Sequence, residues 1–286
     1  MLTILFDGVA YGMLLFILAV GLAVTMGLMN FINLAHGAFA MVGGYITVLL
    51  MQRLDVPFLL CLPIAFAGAA LLGAVLERTL YRPLYNKPHL DQVLFSIGLV
   101  FMAVAAVDYY VGSSQQIIHL PAWLKGRTEI GSLGMGHYRL FIIAVCAALT
   151  VGLQFILTRT RFGSRLRASV DDQRVAAGLG INVNVVFLST FAFGSGLAGL
   201  GGALGAEVLG LDPSFPLKFM IYFLIVVAVG GTSSITGPLL AALLLGIADV
   251  AGKYYIPKMG AFIVYALMIA ILLWRPNGLF VRQGGK

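Results

Sequence analysis

The sequence predicts an all-α polytopic membrane protein with eight or nine transmembrane helices, some of them broken or short. Of its 286 residues, 60% are hydrophobic and only 10% are charged, whereas a soluble domain has about 25% charged residues. So few charges cannot solvate a chain of this length unless lipid covers most of its surface. A soluble fold is therefore excluded, and we expect one transmembrane domain over residues 1–286.

Nine apolar segments approach the length of about 20 helical residues that a bilayer core about 30 Å thick requires. The second, seventh and eighth segments are short. Asp7 stands where a signal peptide would carry positive charge, so we expect a retained first helix. The predicted spans are 8–28, 37–51, 57–76, 92–111, 140–157, 184–206, 218–232, 236–252 and 260–275.

Positive charge is concentrated in one predicted loop. The net charge of +7 is spread over short loops between apolar runs, so it indicates membrane orientation rather than nucleic-acid binding. By the positive-inside rule, the segment 159–174 is cytoplasmic, and the polar segment 112–139 lies on the opposite side with the N-terminus. The arginines of the cytoplasmic segment are Arg159, Arg161, Arg165, Arg167 and Arg174.

The sixth predicted span carries small residues at four-residue intervals. Gly194, Ala198, Gly202 and Ala206 form this stripe. Small residues at such spacing let two helices approach closely in lipid, where association depends on packing. The pattern predicts a helix at the centre of the bundle.

Polar residues interrupt the first long apolar run. Asn30, Asn33 and His36 precede a short glycine-rich segment. Polar backbone at membrane depth is tolerated only where it is buried in protein or lines a cavity. The pattern fits a broken helix beside a translocation path and, equally, a cytoplasmic turn with Asn caps.

A second interruption lies at 230–238, where hydroxyl residues and glycines separate two short apolar segments and Pro238 suits the first turn of a helix. Interrupted helices in both halves of a chain favour a transporter built from structural repeats. The candidate pathway residues of the two interruptions are Asn30, Asn33, His36, Thr232, Ser233, Ser234 and Thr236.

The cytoplasmic loop 161–182 predicts a short helix from about 164 to 177, ended by Gly178 or Gly180. It combines basic residues with a small apolar face formed by Leu166, Val170, Ala176, Ala177 and Leu179. The loop is either a surface helix held by lipid phosphates or a docking element for a cytoplasmic partner.

The chain offers little for catalysis. Cys61 and Cys146 lie inside apolar runs without ligand-spaced partners, so neither a disulfide framework nor a metal site is expected. The adjacent acidic pair Asp171-Asp172 lies in the basic loop, away from any nucleophile and base. No G-x-x-x-x-G-K-[ST] loop is present, so any ATP dependence must come from another chain. An enzyme is the least favoured class.

Acidic residues fall near the ends of the predicted spans. Asp108, Glu207 and Asp249 occupy such positions, where interfacial exposure or a snorkelling partner satisfies them. Because no acidic residue falls mid-span, ATP-driven transport is favoured over secondary transport. A stand-alone secondary transporter or channel for small polar solutes is the alternative, although such a carrier does not need a docking loop at 161–182.

Four stretches together carry a family resemblance: NFINLAHG (30–37), ERTLYRP (77–83), RASVDDQRVAAGLGIN (167–182) and GGTSSITG (230–237). In this order and at these distances, they resemble the LivH-type branched-chain amino acid permeases of bacterial ABC importers. The resemblance implies a type II ABC importer-like permease fold in the inner membrane. Members commonly carry Gly-Ser-Ile-Xaa-Gly near 232–238, where this chain differs.

The resemblance also implies partners. The family pairs such a chain with a second related permease, two cytoplasmic ABC ATPase subunits and a periplasmic substrate-binding protein, so this chain binds no cofactor of its own. Related permeases carry urea, amides, other amino acids or aromatic acids, and two copies of the chain or one copy with a relative would fit. The loop 161–182 would then be the ATPase coupling loop, with contacts from Arg167, Ala168, Asp171, Asp172, Arg174, Ala176, Ala177 and Gly178.

Overall fold

Each predicted span corresponds to one helix of the structure, a computed structural model that describes residues 1–29, 31–85, 87–130, 133–231, 234–275 and 278–279. The helices are α1 (Leu2–Met29), α2 (His36–Leu54), α3 (Phe58–Leu76), α4 (His89–Val111), α5 (His137–Arg159), α6 (Arg161–Asp171), α7 (Gln173–Gly178), α8 (Val183–Leu209), α9 (Phe215–Gly230), α10 (Thr236–Tyr255) and α11 (Gly260–Trp274).

Within the described residues, seven helical stretches are long and apolar enough to cross a membrane, and α9 and the stretch Phe262–Trp274 are shorter. The expectation that the second and eighth spans are short is wrong, since α2 has 19 residues and α10 has 20. Both helices continue through polar residues, Gln52 in α2 and Lys253 in α10, which lie beyond the apolar runs.

The third span is longer than its apolar run. After α3, the chain continues as a π-helical turn (Glu77–Tyr81) and a 3₁₀ turn (Arg82–Leu84), and the whole stretch Phe58–Leu84 qualifies as one span. Glu77, which is 2% exposed, therefore lies within a span. The predicted span ends at residue 76, so Glu77 is not among the acidic residues that the sequence predicts near span ends.

The polar segment 112–139 contains a small hairpin that the sequence does not predict. Strand β1 (Arg127–Ile130) pairs antiparallel with β2 (Leu133–Gly136), and Arg127 lies opposite Gly136. Four-residue strands are too short for a reliable alternation of apolar and polar residues.

Contacts fix this segment beside the N-terminus of α1. The Gly134 amide donates to Thr3 Oγ1 at 3.1 Å, and Arg139 forms an ion pair with Asp7. Helix α5 runs from this end of the bundle to the loop 161–182 at the other end, a rise of about 35 Å at 1.5 Å per residue. The prediction that 112–139 and 161–182 lie at opposite ends of the bundle is confirmed.

Helix α8 lies at the centre of the bundle, as its small residues predict. Two of its glycines meet the backbones of other helices without intervening side chains: Gly194 lies against Gly21 of α1, and Gly202 lies against Ala40 of α2. Gly199 contacts both Gly43 of α2 and α3. Ala198 and Ala206 of the same stripe are buried. The small residues thus replace side-chain packing by backbone contact.

We predict that Gly43→Ala destabilises the bundle, because a Cβ at this position would overlap the backbone of Gly199. Overpacking of this kind costs about 1–3 kcal/mol. Gly98→Ala in α4 is the matched control, since no atom lies within 4 Å of its added Cβ and alanine is the better helix former. Thermal unfolding in detergent measures the difference. Equal stability of the two variants would contradict the close packing.

We predict that Ser164 faces the cytoplasm and Ser113 the opposite side of the membrane. Both side chains are exposed, and they lie at opposite ends of the bundle. The measurement is labelling of Ser164→Cys and Ser113→Cys in intact cells by a membrane-impermeant thiol reagent, in a background without Cys61 and Cys146. Only Ser113→Cys should react. Labelling of Ser164→Cys alone would invert the orientation.

Candidate functional site

The first interruption returns the chain to the middle depth of the bundle. Helix α1 ends at Met29 and α2 begins at His36, yet His36 Nε2 lies 2.9 Å from the carbonyl oxygen of Leu18, about three helical turns before the end of α1. Because a carbonyl only accepts, Nε2 carries the proton. The ring fits against Gly21, where a side chain would overlap it. The interruption expected from the sequence is confirmed.

Side chains of α4 accept hydrogen bonds from the backbone amides of the first interruption, which we call the break. The Ile32 amide donates to Gln92 Oε1 at 3.1 Å, and the Leu34 amide donates to Ser96 Oγ at 3.2 Å. The Gln92 amide group in turn donates to the carbonyl of Lys87 at 3.1 Å. Since irregular backbone at membrane depth requires internal partners, these two α4 side chains stabilise the break.

Asn33 and His36 are both engaged inside the chain. They are 1% and 2% exposed. Asn33 Oδ1 accepts from the Ala35 amide at 3.1 Å and from the Tyr81 hydroxyl at 3.0 Å. Both residues therefore stabilise the conformation of the break. Because both are buried, neither side chain lines a translocation path in the single chain. Asn30, the third predicted residue here, lies outside the described residues.

The second interruption lies at the end of α9. Gly231 has a φ of 78°, a left-handed conformation that favours glycine, and α10 begins at Thr236. Ser234 Oγ accepts from the Gly237 amide at 3.3 Å, as a cap of α10 would. Ser234 and Thr236 are exposed. Thr232 and Ser233 lie outside the described residues.

A cavity of about 220 Å³ joins the second interruption to the loop 161–182. Ser234 and Ile235 line one side of it, α1 and α5 contribute further walls, and Leu166 and Arg167 line it from α6. The structure thus brings together two of the three stretches that the sequence singles out, although they are far apart in the chain.

The loop 161–182 folds as two helices, so the prediction of one helix over 164–177 is wrong in this respect. Asp172 leaves the helical conformation between α6 and α7 and caps α7, since its Oδ1 accepts from the Arg174 and Val175 amides at 2.8 and 3.0 Å. Helix α7 ends at Gly178, and Gly180 has a φ of 81°, so the predicted stop is confirmed.

The predicted coupling residues divide by exposure. Ala176 is 1% exposed and faces the inside of the chain, so it is not available to a partner. The Arg167 guanidinium donates to the Leu157 carbonyl of α5, Ala168 is half-buried, and Asp172 is occupied as a cap. The other predicted residues are exposed, and with two exposed neighbours, Val175 and Leu179, they form what we name the coupling surface: Asp171, Arg174, Val175, Ala177, Gly178 and Leu179.

Sequence reasoning missed the residues that hold the break: Gln92, Ser96 and Tyr81. A signal was present for the first two, because they lie four positions apart in an apolar span and so share a helix face. Tyr81 lies in the stretch 77–83 that carries the resemblance, but no local signal pairs it with Asn33, which lies 48 residues away.

Two buried carboxylates have partners inside the bundle. Glu77 Oε1 accepts from the Tyr85 hydroxyl at 2.8 Å. Burial, together with this hydrogen bond, raises the pKa of Tyr85 above its ordinary value, so the hydroxyl stays protonated and donates. Asp249, 1% exposed, lies 2.5 Å from Lys253 Nζ, whose side chain is half exposed. Lys253 thus neutralises Asp249 while its own side chain extends toward water, as expected for a snorkelling partner near the end of a span.

Comparison with known proteins gives a consistent result. The sequence model of the family described as branched-chain amino acid transport system / permease component matches residues 4–272. The high-affinity branched-chain amino acid transport system permease protein BraD of Pseudomonas aeruginosa is 30% identical, over 97% of this chain and 95% of BraD.

Two relatives from Escherichia coli (strain K12) are also similar. The permease protein LivH is 28% identical over 97% of this chain and 94% of LivH. The permease protein LivM of a high-affinity branched-chain amino acid transport system is 26% identical over 93% of this chain and 68% of LivM. No solved structure matches the chain.

Proposed function

Because this chain belongs to the family of branched-chain amino acid transport system permease components, we propose that it forms the translocation pathway of an ATP-binding cassette importer in the bacterial inner membrane. It is a multi-pass membrane protein and a transport permease subunit rather than an enzyme. Separate cytoplasmic ATPase subunits hydrolyse ATP, and this chain binds no cofactor of its own.

The coupling surface is the observation that carries the proposal. It presents the charged side chains of Asp171 and Arg174. It also presents two apolar side chains, Val175 and Leu179, which are 59% and 75% exposed. Large apolar side chains beside charges, outside the bilayer, suit a protein partner better than water. Helix α6, which precedes this surface in the chain, lines a cavity with Leu166 and Arg167, and Ser234 of the second interruption lines the same cavity.

The substrate and the other partners follow from the relatives. BraD and LivH are named for branched-chain amino acids, and we propose a branched-chain or related amino acid as the substrate. LivM and LivH of one bacterium both resemble this chain, which favours a second, related permease beside it. A substrate-binding protein would deliver the amino acid at the end formed by 112–139.

The pathway residues have unequal support. Ser234 and Thr236 are exposed, and Ser234 lines the cavity, so they are the stronger candidates for contact with substrate. Asn33 and His36 shape the first interruption from inside. Asn30, Thr232 and Ser233 remain predictions from the sequence.

We predict that the purified chain alone gives no concentrative uptake of leucine, isoleucine or valine in proteoliposomes. Reconstitution with its ATPase subunits, second permease and binding protein should give uptake that depends on ATP. The readout is accumulation of radiolabelled amino acid with and without ATP inside the vesicles. Accumulation by the single chain under a proton or sodium gradient would establish the secondary-transporter alternative instead.

We predict that Ala177→Glu lowers co-purification of the ATPase subunits by about tenfold, because a bulky charge overpacks a fitted interface at a cost of about 1–3 kcal/mol. Ala122→Glu is the matched control, since Ala122 is an exposed alanine in the segment 112–139. Both variants should unfold at the wild-type temperature, whereas Ala176→Glu should reduce the folded yield because Ala176 is buried. Wild-type ATPase binding by Ala177→Glu would show that the loop 161–182 is not part of the interface.

A further inference from the structure

Five aromatic side chains pack between the loop 161–182 and the first interruption. We name them the aromatic cluster: Phe31, Tyr81, Tyr85, Phe187 and Phe191. Their rings contact one another in sequence, with centroid distances of 4.7 Å for Phe191–Tyr81, 5.5 Å for Tyr81–Phe31, 5.6 Å for Phe31–Tyr85 and 5.8 Å for Tyr85–Phe187. Phe187 and Phe191 lie one turn apart on α8, so the contacts close on themselves.

One side of the aromatic cluster is joined to the coupling surface. Helix α8 begins at Val183, directly after the loop. The Ile181 amide donates to the Ala176 carbonyl at 3.1 Å, and Asn182 Oδ1 accepts from the Val185 amide at 3.2 Å. Helix α7 and the first turns of α8, which include Phe187, are thereby linked by hydrogen bonds.

The other side of the cluster is joined to the break. Tyr81 is fully buried, and its hydroxyl donates to Asn33 Oδ1. Phe31 lies in the break itself, and Phe191 also contacts Phe39 in the first turns of α2, at 5.8 Å between ring centroids. Phe191 therefore contacts Tyr81, which binds Asn33 in the break, and Phe39, which follows the break in α2.

Tyr81 also ends the π-helical turn (Glu77–Tyr81). Such turns within α-helices are frequent at functional sites. Glu77 begins the same turn and is held by Tyr85, so both ends of the turn are fixed to the aromatic cluster by side-chain interactions.

We propose that the aromatic cluster transmits movement of the coupling surface to the first interruption, with Tyr81 as the positioning residue that holds Asn33. The transmission to transport rests on the proposed function. When an ATPase shifts α7, the first turns of α8 move Phe187 and Phe191, and the ring contacts displace Tyr81 and with it the break.

The positioning role is tested on the purified chain. Tyr81→Phe removes a hydroxyl and keeps the ring. Amide hydrogen exchange in residues 31–36 should accelerate about fivefold, as expected for loss of one buried hydrogen bond. The control is Tyr138→Phe, because Tyr138 is also buried and its hydroxyl donates to the Leu204 carbonyl at 2.6 Å. Unchanged exchange in Tyr81→Phe would overturn the positioning role.

The transmission is tested on the full complex in proteoliposomes, as amino acid transported per ATP hydrolysed. Tyr81→Phe should lower this ratio about fivefold with ATPase activity within about twofold of wild type, and Tyr138→Phe should leave both unchanged. Phe191→Leu should act like Tyr81→Phe. Phe193→Leu is its control, because Phe193 packs on Phe66, 5.6 Å away, outside the cluster.

The outcomes separate the two proposals. If the wild-type complex shows no ATP-driven uptake, the proposed function fails and the transmission with it, while the exchange result still decides the positioning role. A wild-type ratio in Tyr81→Phe overturns the transmission alone. Parallel loss of transport and ATPase activity, with a constant ratio and a lower unfolding temperature, also overturns it, because that result indicates only a structural residue.

Discussion

Backbone contact along α8 is the constraint on which the rest of the structure depends. In lipid, helices gain little from burying apolar surface against each other, so association requires close approach. Gly194 and Gly202 provide it toward α1 and α2, and the first interruption lies where these helices meet. His36 can occupy its position only because Gly21 has no side chain. The polar break and the glycine stripe are therefore one structural feature.

The break determines what α4 must supply. Free amide groups at membrane depth are costly, and Gln92 and Ser96 remove that cost for Ile32 and Leu34. Most of the remaining α4 surface is exposed in the single chain, so these two side chains are its main polar link to the bundle. An α4 helix of the same length without Gln92 and Ser96 would leave the Ile32 and Leu34 amides without these hydrogen-bond acceptors.

Helix positions and both interruptions could be predicted from the sequence because apolar length and helix-breaking residues are local properties. Other features depend on contacts between distant segments. The split at Asp172 reflects a choice between continuing a helix and capping a new one, and the burial of Ala176 depends on how α7 rests on α8. The Tyr81–Asn33 hydrogen bond joins residues from different helices. Composition and periodicity do not contain this information.

The two interruptions differ in how they are held in place. In the first, amides at 32, 34 and 35 are all hydrogen-bonded to side chains, and a segment bound in this way moves together with its partners. The second has exposed hydroxyls at Ser234 and Thr236 and a left-handed glycine at Gly231. The second also lines the cavity beside α6, together with Leu166 and Arg167, whereas the first is held by side chains of α4. The two interruptions, although both separate two apolar helices, are therefore built differently: the first is bound to side chains inside the bundle, and the second is partly exposed.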